Sequence, residues 1–264
     1  MKFTKMHGIG NDYIYVNCFE EQIEDRPALA RKLSDRHFGV GGDGLICICP
    51  SDIADFKMDM YNADGSQSAM CGNGIRCVAK YVYDRGMTDK TEIKIESGGT
   101  VKTIRIEVRD GVAGMITVDM GIPDVSAVGE SITVLDKDYV ITRVDMGNPH
   151  AVLFMDDISD FDIERIGSAF EKNKAFPNRT NVEFVKVLDN KTIQMRVWER
   201  GTGETLACGT GACAAMVAAV LGGFIEREAD VRLPGGELSI RWDEKNGHVY
   251  MTGPAEFVFD GVLL

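Results

Sequence analysis

The chain carries one short pattern twice. Ala69-Met70-Cys71-Gly72-Asn73-Gly74-Ile75-Arg76-Cys77-Val78-Ala79 returns as Leu206-Ala207-Cys208-Gly209-Thr210-Gly211-Ala212-Cys213-Ala214-Ala215-Met216. Each copy sets a cysteine before Gly-x-Gly and then a run that reads as helix. The two leading cysteines lie 137 positions apart. The same displacement carries Gly10-Asn11 onto Gly147-Asn148 and the strand-like segment 58–61 onto 195–198. Independent loops would drift apart by insertion, so three features held in register point to a duplicated unit. The chain is therefore read as two similar halves of about 120 residues, each of ordinary domain size. In each, a β-rich layer wraps one buried helix.

The repeated element has a chemical meaning. A residue just before a helix sits among backbone N–H groups without intrahelical acceptors, at the positive end of the dipole. There a cysteine is expected to favour thiolate, below the ordinary thiol value of about 8.5. The glycines let a ligand approach the backbone closely. One such element suggests a reactive cysteine. Two suggest a pair of thiols facing one substrate in the cleft between the halves, a common place for a ligand site.

Composition narrows the setting. With 264 residues, 44% hydrophobic and 27% charged, the chain reads as a soluble globular protein. A net charge of −12 argues against nucleic acid or an anionic membrane as partner. The start, Met1-Lys2-Phe3-Thr4-Lys5-Met6-His7-Gly8, has no apolar core of the signal-peptide kind. The longest apolar run, 207–224, is broken by glycines, so no membrane span is expected. Seven cysteines, an odd count without a secretion signal, suggest free thiols in a reducing cytoplasm. No Cys-x-x-Cys occurs, which weakens zinc-ribbon and thioredoxin-type readings; no metal is expected. Cys47 and Cys49 have strand spacing and read as core.

Taken in order, the chain opens with strands at 3–6 and 13–16 around the glycine-rich turn His7-Gly8-Ile9-Gly10-Asn11-Asp12. A helix follows at 27–36, with Asp25 as cap and Pro27 in the first turn. Gly39-Val40-Gly41-Gly42-Asp43-Gly44 has the letters of a dinucleotide fingerprint, but it follows a helix and opens a strand, the reverse of what that fingerprint needs. Strands at 45–49 and 55–62 lead to the first cysteine helix, 74–85, closed by Gly86. Strands at 92–97, 102–108 and 115–120 are joined by Gly98-Gly99 and Asp110-Gly111, both hairpin signals. Gly121-Ile122-Pro123 marks the domain boundary. The second half reads as strands at 138–146 and 151–155, a helix at 163–170, and strands at 182–185 and 191–198. The second cysteine helix, 212–221, is apolar all round and must be buried. Strands at 237–242, 249–252 and 257–259 close the chain.

Two thiols suit one kind of reaction. The Cα–H of an amino acid is a very weak acid, and removing it requires stabilisation of the carbanion. Helix N-terminal N–H groups aimed at the substrate carboxylate would supply that. A thiol on the opposite face then returns a proton and inverts the centre, with Cys71 and Cys208 exchanging base and acid roles by direction. No cofactor is needed. Cys77 and Cys213, inside the helices, read as core. His150, Glu199, Arg200, Asn11, Asn62 and Asn181 each admit a plainer reading as turn, ion-pair or hydrogen-bonding residues.

Together the motifs resemble the diaminopimelate epimerases. They are Met6-His7-Gly8-Ile9-Gly10-Asn11-Asp12, Cys71-Gly72-Asn73-Gly74-Ile75-Arg76-Cys77, Gly147-Asn148-Pro149-His150, Asn178-Arg179-Thr180-Asn181-Val182, Trp198-Glu199-Arg200-Gly201 and Ala207-Cys208-Gly209-Thr210-Gly211. The resemblance covers nearly the whole chain. It implies a cofactor-independent epimerase interconverting LL- and meso-diaminopimelate, in lysine and peptidoglycan precursor synthesis, with Cys71 and Cys208 as acid/base thiols. Gly72, Asn73, Gly209 and Thr210 would bind the reacting end of the substrate. Asn11, Asn62, Asn148, Asn181, Glu199 and Arg200 would complete the pocket, the arginine fork taking the distal carboxylate. His150 and Glu199 would tune the thiols. One departure is Gly44, where some members carry glutamine.

The implied fold is α+β: two pseudo-symmetric halves, each a barrel-like mixed sheet around a central helix. The halves would be 1–120 and 121–255, with 256–264 returning to the first. The resemblance also implies a cytoplasmic homodimer. The rival readings are another two-thiol racemase of the same fold, acting on histidine or proline, a redox or metal-binding thiol protein, and a non-catalytic amino-acid-binding module.

Overall fold

The computed structural model describes residues 1–68 and 70–264; Ala69, which opens the first cysteine pattern, lies outside the described residues. The chain divides into two units, Met1–Val118 with Gly253–Leu264, and Asp119–Thr252.

The first unit opens with β1 (Lys2–Gly8) and β2 (Asn11–Asn17), an antiparallel pair around the Ile9-Gly10 turn. Helix α1 (Arg26–Ser34) follows, capped by Asp25 accepting from the Ala28 N–H at 2.8 Å. It ends earlier than the sequence suggests, because Asp35 turns out of helical backbone and its carboxylate takes the N–H groups of His37 and Phe38. Then come β3 (Gly44–Cys49), parallel to β2, and β4 (Phe56–Asn62), antiparallel to β3. A short β5 (Gln67–Ser68) leads into α2 (Gly72–Asp84), and β6 (Glu92–Ser97), β7 (Thr100–Arg109) and β8 (Val112–Gly121) form the meander. Positive φ at Asp110 and Gly111, 52° and 79°, gives the hairpin turn that the Asp-Gly pair signals.

The second unit repeats this order. It comprises β9 (Asp124–Val134), β10 (Lys137–Asp145), β11 (Pro149–Phe154), α3 (Ile163–Glu171), β12 (Asn181–Asp189), β13 (Thr192–Glu199), β14 (Gly203–Thr205), α4 (Gly209–Leu221), β15 (Glu228–Leu233), β16 (Gly236–Trp242) and β17 (Val249–Gly253). The last strand, β18 (Glu256–Val262), pairs antiparallel with β1 and fills the place that β9 takes beside β10. The repeat holds to the residue. Tyr13 pairs with Gly44 across β2 and β3, and His150 pairs with Asn181 across β11 and β12, 137 positions on. Helices α2 and α4 start and end at positions related by the same displacement.

Each unit is a mixed sheet curled around one helix. Helix α4 touches β10, β11, β12, β13, β15 and β16, so the sheet wraps it from several sides. Ten of its thirteen residues are buried, as an all-round apolar helix requires. Helix α2 is likewise mostly buried and reaches β1, β2 and β7. The outer helices close the opposite sheet faces. Ala30 and Leu33 of α1 pack on Ile14, Val16, Leu45, Cys47 and Cys49. Phe170 of α3 packs on Phe184, Ile141 and Leu153.

Strands β9 and β15 escape the sequence reading, as do the short β5 and β14. In β9 buried and exposed positions mix, and its few inward residues include Ile132 and Val134. In β15 only Ala229, Val231 and Leu233 point inward. Both have too little apolar weight to announce themselves, and long-range pairing creates them.

Candidate active site

Both cysteines are helix N-caps. Cys71, at φ −135° and ψ 112°, and Cys208, at −122° and 109°, leave the chain extended just before the helix. Their carbonyls accept the first helical bonds, from Ile75 and Ala212, each at 2.9 Å. Each sulfur accepts the third N–H of its own helix: Gly74 to Cys71 at 3.2 Å, Gly211 to Cys208 at 3.4 Å. The helices begin at Gly72 and Gly209, earlier than the sequence suggests, so both glycines of each Gly-x-Gly lie in the first turn. Ser or Asp at such a position uses an oxygen; here a thiol does it.

Around Cys71 the first unit gathers Asn11 and Asn73. The Cys71 thiol lies 3.2 Å from Asn11 Oδ1, and Asn73 Nδ2 donates to the same oxygen at 3.4 Å. Asn11 is itself held by Asp43, which accepts from its Nδ2 at 2.7 Å and from the Asp12 N–H at 3.1 Å. Arg36 spans Asp12 and Asp43, and Lys5 lies 2.5 Å from Asp12. Burial raises the Asp12 pKa, but Arg36 and Lys5 outweigh it and hold this carboxyl below its usual range. Asn62 sits at the end of β4 with its side chain on Ser66 at 3.0 Å.

Cys208 has a different setting. It is buried, and Thr210 Oγ1 lies 3.5 Å from its sulfur. Burial pushes this thiol well above its ordinary value, and the nearby carboxylates of Glu199 and Glu183 push the same way. The bonds from Thr210 and Gly211 lower it without offsetting that rise. At Cys208 the helix start does favour thiolate through the Gly211 N–H, but it is outweighed. Dipole and cap act only locally, while burial and two carboxylates brought in by tertiary packing oppose them. Cys77, inside α2, is pushed up to about 12 by burial and belongs to the core.

The rest of the second unit's set forms two linked networks. His150 Nδ1 lies 2.7 Å from Glu183 Oε1, with both side chains wholly buried, and His150 Nε2 faces Asn148 Oδ1 at 3.1 Å. Asn181 donates to the Pro149 carbonyl at 2.8 Å and accepts the Arg200 N–H at 2.9 Å. The Arg200 guanidinium reaches the Asn178 carbonyl at 3.2 Å, and Thr205 donates to Glu199. Buried Glu171 braces the segment by accepting from Trp198 Nε1, the Gly201 N–H and Arg179.

Sequence reasoning missed Asp43, Glu171 and Glu183. Asp43 hides among turn glycines, and Glu171 ends a helix. Glu183 had a visible signal, a charge inside the apolar strand Val182-Glu183-Phe184-Val185. Among the described residues no group of three or more His, Cys, Asp or Glu side chains is placed to hold a metal ion. Among them, too, no helix is long and apolar enough to cross a membrane.

The family model for diaminopimelate epimerase matches residues 3–125 and 142–258. The chain belongs to the diaminopimelate epimerase family. A relative in Acetivibrio thermocellus, named diaminopimelate epimerase, is 54% identical over 273 residues, covering 99% of this chain and 98% of its own. One of the same name in Methanococcus maripaludis is 52% identical over 275 residues, covering 100% and 99%. Solved structures share the fold at low identity. A Bacillus anthracis phenazine biosynthesis protein of the PhzF family has TM-score 0.76 at 18% identity, covering 100% of this chain and 99% of that one. A hydroxyproline epimerase from Agrobacterium vitis has TM-score 0.74 at 15% identity, covering 99% and 91%.

In this diaminopimelate epimerase family member Gly44 has a structural reason. A Cβ there would collide with the Tyr61 carbonyl and lie 2.8 Å from Tyr13 Cε1, so no side chain fits the backbone as it stands. Its counterpart in the second unit is Asn181, whose amide ties the β11 start to Arg200.

Proposed function

We propose that the chain interconverts LL- and meso-diaminopimelate by proton exchange at one α-carbon, with Cys71 and Cys208 as the two acid/base groups. The observation that carries this is the pair of cysteine N-caps, each with its sulfur on the first turn of a helix, in a chain about half identical over its whole length to proteins named diaminopimelate epimerase.

The chemistry balances without a co-reactant. One sulfur, as thiolate, takes the α-proton, and the C–H electron pair stays on the substrate as a carbanion delocalised into its carboxylate. First-turn N–H groups of α2 and α4 would be the donors to that carboxylate. The other sulfur, as thiol, gives its proton to the opposite face. Product leaves with the two cysteines in exchanged protonation states. Asn11 and Asn73 beside Cys71, and Thr210 beside Cys208, would orient the reacting end. Arg200, anchored by its backbone to Asn181, would take the distal carboxylate. His150 and Glu199 would tune the thiols. The reading requires both sulfurs to reach opposite faces of one carbon.

The test is exchange of the substrate α-hydrogen in deuterated water with LL-diaminopimelate, beside histidine and proline. Cys71→Ala and Cys208→Ala should each abolish inversion. Wild-type epimerisation by either variant, or preference for histidine or proline, refutes the proposal.

A further inference from the structure

The internal repeat allows the two cysteine corners to be compared position by position, and they are not alike. Where the first unit has Tyr13, Ile46 and Asn62, the second has His150, Glu183 and Glu199. The middle pair is the most telling. A Cβ added at Gly74 would meet Ile46 Cδ1 at 2.6 Å; one added at Gly211 would meet Glu183 Oε1 at 2.6 Å and Cys208 Sγ at 3.2 Å. The same space under the first helical turn thus holds a methyl group in one unit and a carboxylate oxygen in the other. Glu183 is wholly buried, one oxygen bonds His150 Nδ1, and the other has no partner among the described residues. A buried carboxylate between Val182 and Phe184 is costly and calls for a role.

We infer that Glu183 is a positioning residue of the Cys208 corner, locking the His150 imidazole with its Nδ1–H toward the carboxylate and making Cys208 hold its proton in the free protein. The inference rests on the two-thiol reading. A carboxylate at Nδ1 fixes both the ring plane and the tautomer, leaving Nε2 toward Asn148. The charged groups acting on the Cys208 corner from neighbouring strands are Glu183 on β12 and Glu199 on β13, with His150 on β11 held against Glu183. Two carboxylates beside a buried sulfur disfavour a third negative charge. At the three matching positions around Cys71 there is no carboxylate, so the duplication has left the two sulfur corners with different side-chain charge around them.

The experiment is the pH profile of alkylation by iodoacetamide, read separately at Cys71 and Cys208 by peptide mass spectrometry, together with kcat and KM. Glu183→Gln keeps volume and an acceptor oxygen; Glu183→Ile installs the residue the twin unit already tolerates. In either variant the Cys208 midpoint should fall by about one pH unit or more while that of Cys71 stays. The kcat should drop at least about tenfold with KM little changed, because the imidazole loses its anchor. An unmoved Cys208 midpoint overturns the inference whatever happens to kcat. A fallen midpoint in a protein whose Cys208→Ala variant still inverts the substrate removes the two-thiol reading instead, and leaves the Glu183–Cys208 coupling standing.

Discussion

Putting one methyl group at matched places in the two units should have unequal effects. Gly74 and Gly211 are the third residues of α2 and α4, and each gains up to about 1 kcal/mol of helix propensity when changed to alanine. In Gly74→Ala the new carbon meets the terminal methyl of Ile46, which can turn aside, and the next contacts, to Cys71, are 3.4 and 3.5 Å. Crowding of about 1 kcal/mol offsets the gain and leaves stability unchanged within about 1 kcal/mol. In Gly211→Ala the new carbon meets Glu183 Oε1, which is wholly buried and committed to His150. Overpacking costs about 1–3 kcal/mol. Displacing the charged hydrogen bond adds roughly 1.5–3 kcal/mol. After the propensity gain, a net loss of about 1.5–5 kcal/mol remains by the same principles. Urea unfolding of both variants beside the parent, compared by midpoint at common slope, measures the difference. If Gly211→Ala is no less stable than Gly74→Ala, the buried Glu183–His150 pair is not rigid, and the reasoning built on it fails.

Three further outcomes follow from the same geometry. Gly44→Ala should destabilise by about 3 kcal/mol or more, because its Cβ meets the Tyr61 backbone rather than a movable side chain, and thermal unfolding checks this. Asp12, Asp55 and Asp260 are held below 3.8 by their cationic or hydrogen-bonding partners, and the lowered folded values mean these groups stabilise the fold above that pH. Their contribution is lost as pH falls through and below about 4, so the melting temperature should drop there, and Asp12→Asn should make the drop shallower. Replacing Arg76, whose wholly buried guanidinium donates to the carbonyls of Gly72 and Pro254 at 3.2 Å each, by Met should cost about 1–3 kcal/mol, because the Pro254 carbonyl loses that donor while Gly72 keeps its helical N–H. A loss under about 1 kcal/mol in calorimetry would show that water replaces the side chain.

Much of the molecule follows from local rules. A cysteine, Gly-x-Gly and a run of helix formers announce a helix start, so both cysteine helices can be read in the residues, while their caps cannot, because the helices begin at Gly72 and Gly209, upstream of where the pattern places them. The repeat can be read too, because its spacing survives in register from Gly10-Asn11 to the cysteine helices. Apolar character all round α4 required its burial, and the Asp-Gly turn required its hairpin. These signals span a few residues, within reach of φ/ψ preference, capping and periodicity.

What packing alone decided lies between distant segments. Strands β9 and β15 exist because neighbours pair with them, and β18 joins β1 across almost the entire chain length. Glu183, Asp43 and Glu171 act through partners far away in sequence, which no short window can reveal. The reversal at Cys208 shows the reason most clearly. Helix start and glycines, the features visible along the chain, favour a thiolate. Burial and two carboxylates from neighbouring strands, visible only in space, disfavour it. Backbone conformation is set by neighbours in sequence; electrostatic energy is set by neighbours in space, and the charge on a buried sulfur belongs to the second kind.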